Sequence, residues 1–157
     1  MIQEPERSDR WSAIEHWPRG RYLAGYTIGI LCIASHYPLI PGNMQHAQTY
    51  PFPVLYGVVP GVSIDQLLAG DASLEPLVLQ AAKDLVGQGV KAIVGACGSL
   101  AYYQRAVSAA LPVPVCLSVL TQVPAILDLL PPAQSLAVYF ASRRSYNDRI
   151  CEQCRIT

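Results

Sequence analysis

The sequence predicts an α/β fold, a doubly wound and mostly parallel sheet followed by an incomplete second lobe. Three observations lead there. Several apolar runs of strand length are continuous rather than alternating, as in parallel strands buried on both faces. Segments with helical apolar spacing separate them, which is the order of a parallel sheet wound with helices. The 13 prolines and 11 glycines fall between these runs and act as punctuation.

Taken in order, residues 1–24 are expected as a polar leader, with a short helix that would place Trp11, Ile14 and Trp17 near one face. The main lobe is expected over 25–134. "YTIGILCIAS" (26–35) is its first strand, followed by the proline-punctuated "HYPLIPGNMQHAQTYPFP", too long for an idle connector. "FPVLYGVVP" (52–60) is the second strand. A helix follows over 73–89, where Leu74, Leu77, Val78, Ala81, Ala82, Leu85 and Val86 recur at helical spacing before Gly87 and Gly89. "VKAIVGAC" (90–97) is the third strand and 98–110 the next helix. "VPVCLS" (113–118) is the fourth strand and 119–130 another helix, with Pro124 tolerated in its first turns. "SLAVYFA" (135–141) is expected as a fifth strand, opening the incomplete second lobe over 135–157 with a helical tail.

Composition narrows the function classes. The 157 residues are 52% hydrophobic and 14% charged, enough to bury one sizeable core. Eleven basic and eleven acidic residues cancel, so no global field draws the chain to nucleic acid or to a membrane. No apolar stretch approaches the roughly 18–20 residues of a membrane-spanning helix. Five scattered cysteines, an odd number, point to a reducing, cytoplasmic setting.

The chemistry concentrates in "GACGSLAYYQ" (95–104), where a lone cysteine stands between the end of a strand and the start of a helix. In parallel sheets ligands bind beyond the carboxyl ends of the strands, the edge on which Cys97, Ser118 and the loop after Ser35 all fall. Gly98 lets a substrate approach the backbone closely. The N–H groups of the following helix favour an anion, either a thiolate or a substrate carboxylate. By position alone, a buried cysteine that merely ends a strand fits equally well.

The stretches "IPGN" (40–43), "PFP" (51–53), "GACGSLAYYQ" and "VPVCLSVLTQVP" (113–124), in that order, resemble the aspartate/glutamate/hydantoin racemase superfamily from about Ile28 through Ala141. The resemblance implies cofactor-independent racemisation in a cleft between two α/β lobes, each supplying one cysteine. One thiolate takes the proton from the carbon next to a carboxylate, and the opposite thiol returns one to the other face. Cys97 matches the first of these cysteines, Gly98 and Ser99 would hold the carboxylate, and Ser118, Asn43 and His46 would make further substrate contacts. The chain reads Cys97-Gly98-Ser99 where better-known amino-acid racemases read Cys-Asn-Thr. The family's second cysteine has no counterpart, so a truncated homologue is expected. The implied activity is that of an isomerase on a small carboxylate-bearing substrate. It needs no cofactor or metal, and the chain is expected to form homo-oligomers through uncovered apolar surface. A non-catalytic homologue that binds a ligand or pairs subunits is the alternative.

The remaining candidates carry less. Cys151 and Cys154 form an isolated C-x-x-C without two further zinc ligands, and His16, His36 and His46 are unpatterned. Cys32 and Cys116 are expected in the core. The arginines of "SRRSYNDR" (142–149) are expected on a solvated helix face, and Tyr102 and Tyr103 as helix packing, Tyr102 toward the core.

Overall fold

A computed structural model describes residues 23–156. The polar leader expected over 1–24 therefore lies almost wholly outside the described residues. Four strands, β1 (Ile28–Ile33), β2 (Val54–Val59), β3 (Ala92–Gly95) and β4 (Val115–Cys116), form one sheet in the order β2-β1-β3-β4, with every pairing parallel. The fold is α/β, as the alternation of runs requires. Strand order reverses between β1 and β3, and the crevice beyond their carboxyl ends is where such a sheet has room for a ligand.

β1 lies at the centre and is buried along nearly its whole length, which accounts for its unbroken apolar run. Leu31 and Ile33 join the core under the helices, while Ile30 and Cys32 are buried on the other side. The helix α2 (Glu75–Gly87) packs over β1, β2 and β3, placing Val78, Ala81, Ala82 and Leu85 inward. Gly29 and Gly57 have no side chains to stand in the way of Leu85: a Cβ on Gly57 would come within 2.9 Å of it. Pro76 sits in the first turn of α2, where a missing N–H costs nothing.

A short helix, α1 (Ile64–Ala69), precedes α2 and was not expected. Ser63 and Gln66 close a reciprocal capping box at its start, and Gly70 ends it in the left-handed conformation at φ 65°. A side chain at Gly70 would also collide with the Tyr102 ring.

The expected helix over 98–110 is divided. Gly98–Tyr103 winds as a 3-10 helix and only α3 (Gln104–Ala110) is α-helical. Ser99 through Tyr103 are all buried, so this segment has no solvent face and its apolar pattern carries no helical period. The next helical segment opens likewise with a 3-10 turn, Val119–Gln122, before α4 (Val123–Leu129).

The expected fifth strand is absent. Residues 135–141 form no ladder with the sheet. β4 is two residues long and follows Pro112 and Pro114, which have no N–H to donate, so it offers little for another strand to pair with. Instead this stretch crosses the ends of the strands and leads into α5 (Asp148–Gln153), whose Ile150 enters the main core together with Cys154. Among the described residues no helix is long and apolar enough to cross a membrane.

Candidate functional site

β3 ends at Gly95, a position where nothing larger fits: a Cβ there would lie within 2.7 Å of the Leu117 carbonyl carbon. The Ala96 N–H donates to the Leu31 carbonyl at 2.8 Å, which holds the chain against β1 for one more residue. Cys97 then leaves the sheet in an extended conformation and becomes the cap of the Gly98–Tyr103 helix, its side chain making no capping bond. The Leu100 N–H turns back to the Cys97 carbonyl at 3.0 Å. Gly98 and Ser99 thus open the helix, where backbone N–H groups have no intrahelical acceptor.

Ser118 occupies the equivalent exit of the neighbouring strand. Its Oγ accepts the Leu120 N–H at 3.3 Å, and its carbonyl accepts the Thr121 hydroxyl at 2.8 Å. The parallel pairing of β3 with β4 sets the two exits side by side. A Cβ on Gly98 would find Ser118 Oγ as its nearest neighbour, at 4.0 Å.

Cys97, Gly98, Ser99 and Ser118 line one cavity of about 280 Å³. Its other walls come from Leu68 of α1, from Val138–Ala141 in the segment crossing the sheet edge, and from Ser145 and Ile150. Among the described residues no charged side chain lines it, so its polarity comes from a thiol, hydroxyls and backbone groups. A larger cavity of about 550 Å³ lies beside it and shares Leu120, Val138 and Phe140. It is bounded mainly by aliphatic and aromatic side chains and holds none of the four residues at the sheet edge, so the smaller one is the chemical candidate.

Two expected site residues stand elsewhere. Asn43 Oδ1 accepts the Gln45 N–H at 2.8 Å, and His46 Nδ1 accepts the Gln48 N–H at 3.2 Å as the cap of the short Ala47–Thr49 turn. Both side chains serve the internal turns of the long loop, and neither lines the Cys97 cavity. The loop residue that reaches the end of β1 is Gln45, which bonds the Ile33 carbonyl at 3.3 Å and the Ser35 hydroxyl at 3.5 Å. A glutamine amid turn-forming neighbours gives no sequence signal for that role. His36 is exposed, and His16 lies outside the described residues.

All five cysteines are free thiols. Cys97 is partly exposed, whereas burial pushes the Cys32 and Cys154 thiols up to about 11. Cys116 is half-buried, its Sγ 3.1 Å from the Thr121 hydroxyl.

The C-terminal wall of the cavity is clamped onto Tyr102. Asn147 Nδ2 donates to the Tyr102 oxygen at 2.8 Å, and the Tyr102 hydroxyl faces the carbonyls of Ser145 at 3.4 Å and Leu68 at 3.5 Å. Arg149 lies over the Tyr102 ring, 5.4 Å from its centroid, and donates to the Gly70 carbonyl. This corrects the expectation of a purely solvated arginine face: Arg149 ties α5 to the end of α1. Tyr103, equally buried, donates to the Asp71 carbonyl at 2.8 Å.

No family model matches the chain, and no solved structure matches it. Curated relatives do. It is 27% identical over 121 residues to dimethylsulfoniopropionate lyase 3 of Emiliania huxleyi (strain CCMP1516), covering 76% of this chain and 32% of the relative. It is 26% identical over 135 residues to dimethylsulfoniopropionate lyase 7 of the same organism, covering 83% and 40%. With the dimethylsulfoniopropionate lyase of Durusdinium sp. clade D the identity is 24% over 138 residues, covering 83% and 45%. The chain thus spans between a third and a half of the length of these relatives. Their names correct the expectation drawn from the motifs. The chain is similar to lyases rather than to racemases of the aspartate/glutamate/hydantoin group, and both the isomerase reading and the non-catalytic alternative lose their support.

Proposed function

We propose that this chain carries the site of a lyase acting on a 3-sulfoniopropionate, with the Cys97 thiolate as the base. The observation that carries the reading is the gathering of Cys97, Gly98, Ser99 and Ser118 around one cavity at the sheet edge. Similarity to proteins named dimethylsulfoniopropionate lyases supports the substrate class. In dimethylsulfoniopropionate the carbon next to the carboxylate bears an acidified proton, and the carbon beyond it bears a sulfonium.

The Cys97 sulfur takes the proton from carbon 2. The C–H electron pair becomes the new double bond between carbons 2 and 3. The bond from carbon 3 to sulfur breaks, and its electron pair leaves with the sulfur as neutral dimethyl sulfide. Acrylate remains, and the Cys97 thiol gives its proton back to water. The Gly98 and Ser99 N–H groups and the Ser118 hydroxyl hold the carboxylate, whose oxygens gain charge as the proton departs. Phe140, on the same cavity, supplies the aromatic ring for the sulfonium in this reading. Elimination removes one proton from one face, so a single base suffices. A reducing compartment such as the cytoplasm belongs to the same proposal, and five unpaired thiols support it.

The test is release of dimethyl sulfide and acrylate in equal amounts from dimethylsulfoniopropionate, followed by headspace gas chromatography and proton NMR. Cys97→Ser should lower the rate by about 10²-fold or more, the usual weight of a general base. Absence of both products with the unaltered chain, or an unchanged rate in the variant, would remove the reading.

A further inference from the structure

Among the side chains that line the Cys97 cavity, the Ser145 hydroxyl is both buried and without a partner. Ser145 is 4% exposed and its Oγ makes no hydrogen bond. Its backbone, by contrast, is held on both sides: its N–H donates to the Ser142 carbonyl at 3.0 Å, and its carbonyl faces the Tyr102 hydroxyl at 3.4 Å. The residue therefore sits at a fixed place with its hydroxyl unused. Buried polar groups are nearly always satisfied, and one left over calls for an explanation. The explanation on hand is the cavity that Ser145 lines together with Cys97, Gly98, Ser99 and Ser118.

We infer that the Ser145 hydroxyl is a substrate contact that donates a hydrogen bond to the ligand's carboxylate. The inference rests on the reading of this cavity as a carboxylate site. The sheet-edge wall supplies the backbone N–H groups at Gly98 and Ser99, and the C-terminal wall supplies Ser145. A hydroxyl is well matched to this task, because it donates without bringing a charge that would compete with the thiolate for the proton. It also explains the clamp: Asn147, Tyr102 and Arg149 together fix a segment that would otherwise be an exposed connection after α4. Ser145 is a binding residue in this assignment and takes no part in proton transfer.

Iodoacetate and iodoacetamide make the test independent of turnover. Both deliver the same carbon to a thiol, and only iodoacetate carries a carboxylate beside that carbon. A site that grips a carboxylate with its adjacent carbon against Cys97 should alkylate faster with iodoacetate, relative to iodoacetamide, than free N-acetylcysteine does. Mass spectrometry reads the Cys97 adduct. Ser145→Ala should cut that preference by about tenfold, the lower end for a hydrogen bond to a charged group, while leaving the iodoacetamide rate unchanged. Ser145→Thr, which keeps the hydroxyl, should retain most of the preference. The urea midpoint of Ser145→Ala should be unchanged or raised, since the hydroxyl bonds nothing in the free protein.

An unaltered preference in Ser145→Ala would overturn the assignment, as would a clearly lowered urea midpoint or the absence of any preference in the parent chain. The lyase reading can fail separately. No dimethyl sulfide together with a Ser145-dependent preference would remove that reaction and support this contact. Dimethyl sulfide release with a preference indifferent to Ser145 would do the reverse.

Discussion

Replacing Asn147 with alanine removes two bonds at once, and the structure allows their weights to be worked out. The side-chain oxygen caps α5 by accepting the Ile150 N–H at 3.1 Å, and the side-chain nitrogen donates to the Tyr102 oxygen at 2.8 Å. Loss of an N-cap costs about 1 kcal/mol, and a neutral hydrogen bond contributes about 1 kcal/mol net. Asn147 is exposed, so water can partly replace it at the Tyr102 oxygen, and about 2 kcal/mol is an upper value for the sum. Urea unfolding of the parent, Asn147→Ala, Tyr102→Phe and the double variant would separate the two parts, because only the second depends on Tyr102. A coupling of about 1 kcal/mol between the two positions is expected. Since Tyr102 also faces the Ser145 carbonyl, the wall of the Cys97 cavity should loosen as well, and Cys97 should react faster with iodoacetamide. A loss below about 0.5 kcal/mol with no coupling would be ordinary surface behaviour. It would refute the claim that Asn147 and Tyr102 fasten the C-terminal segment.

Gly98→Ala should leave stability within about 0.5 kcal/mol, because the new methyl would find nothing nearer than Ser118 Oγ at 4.0 Å. It should nonetheless cut dimethylsulfoniopropionate cleavage by about 10²-fold, the scale of a misplacement near 1 Å, measured as dimethyl sulfide release. Gly95→Ala, whose methyl would strike the Leu117 carbonyl, should cost about 3 kcal/mol in urea unfolding or prevent soluble expression. The Cys32 and Cys154 thiols are raised from an ordinary 9.0 to about 11 in the folded chain, so the native state keeps their protons longer than the unfolded state does. Their stabilisation is complete below about pH 9 and is lost as pH rises toward 11. Urea midpoints should therefore decline over that range, and less steeply in Cys154→Ala. In alkylation mapping near neutral pH, Cys97 should label while Cys32 and Cys154 stay unmodified until denaturant is added.

The sheet was legible because burial on both faces leaves a mark: "IGILCI" has no polar position, and no single-faced strand reads that way. α2 was legible for the complementary reason, a periodic inner face on a helix with a wet outer one. α1 carried a readable signal that went unused, since Ser63 followed three residues later by Gln66 and then by Gly70 is a capping box with a glycine stop. "SLAVYFA" misled because strand formation depends on a partner as well as on the run itself. With β4 two residues long, nothing was available to pair with, and Tyr139 is left 94% exposed. The segment's apolar side chains went to the cavity walls instead.

The site divides along a similar line. A thiol at a strand exit, a glycine beside it and a serine at the next exit follow from chain order in a parallel sheet, and they do meet. Ser145 could not be found that way, because its place depends on a turn fastened through Tyr102, more than forty residues earlier in the chain. The proposed reaction class leaves no mark in the sequence for a chemical reason. A base facing the carbon beside a carboxylate performs the same first step whether the outcome is inversion or elimination. Inversion then needs a second proton donor on the opposite face, whereas elimination needs a leaving group on the next carbon. The leaving group belongs to the substrate and leaves no residue in the protein that spacing could reveal. On the proposed lyase reading, what the protein must add is an environment that tolerates the departing cation-derived group, and an uncharged cavity walled by Val138, Phe140 and Leu68 is such an environment. Changing Phe140 to serine should therefore discriminate among substrates: cleavage of dimethylsulfoniopropionate should fall, while alkylation of Cys97 by iodoacetate, which has no sulfonium, should hold. Equal losses of both would mean that Phe140 merely supports the wall.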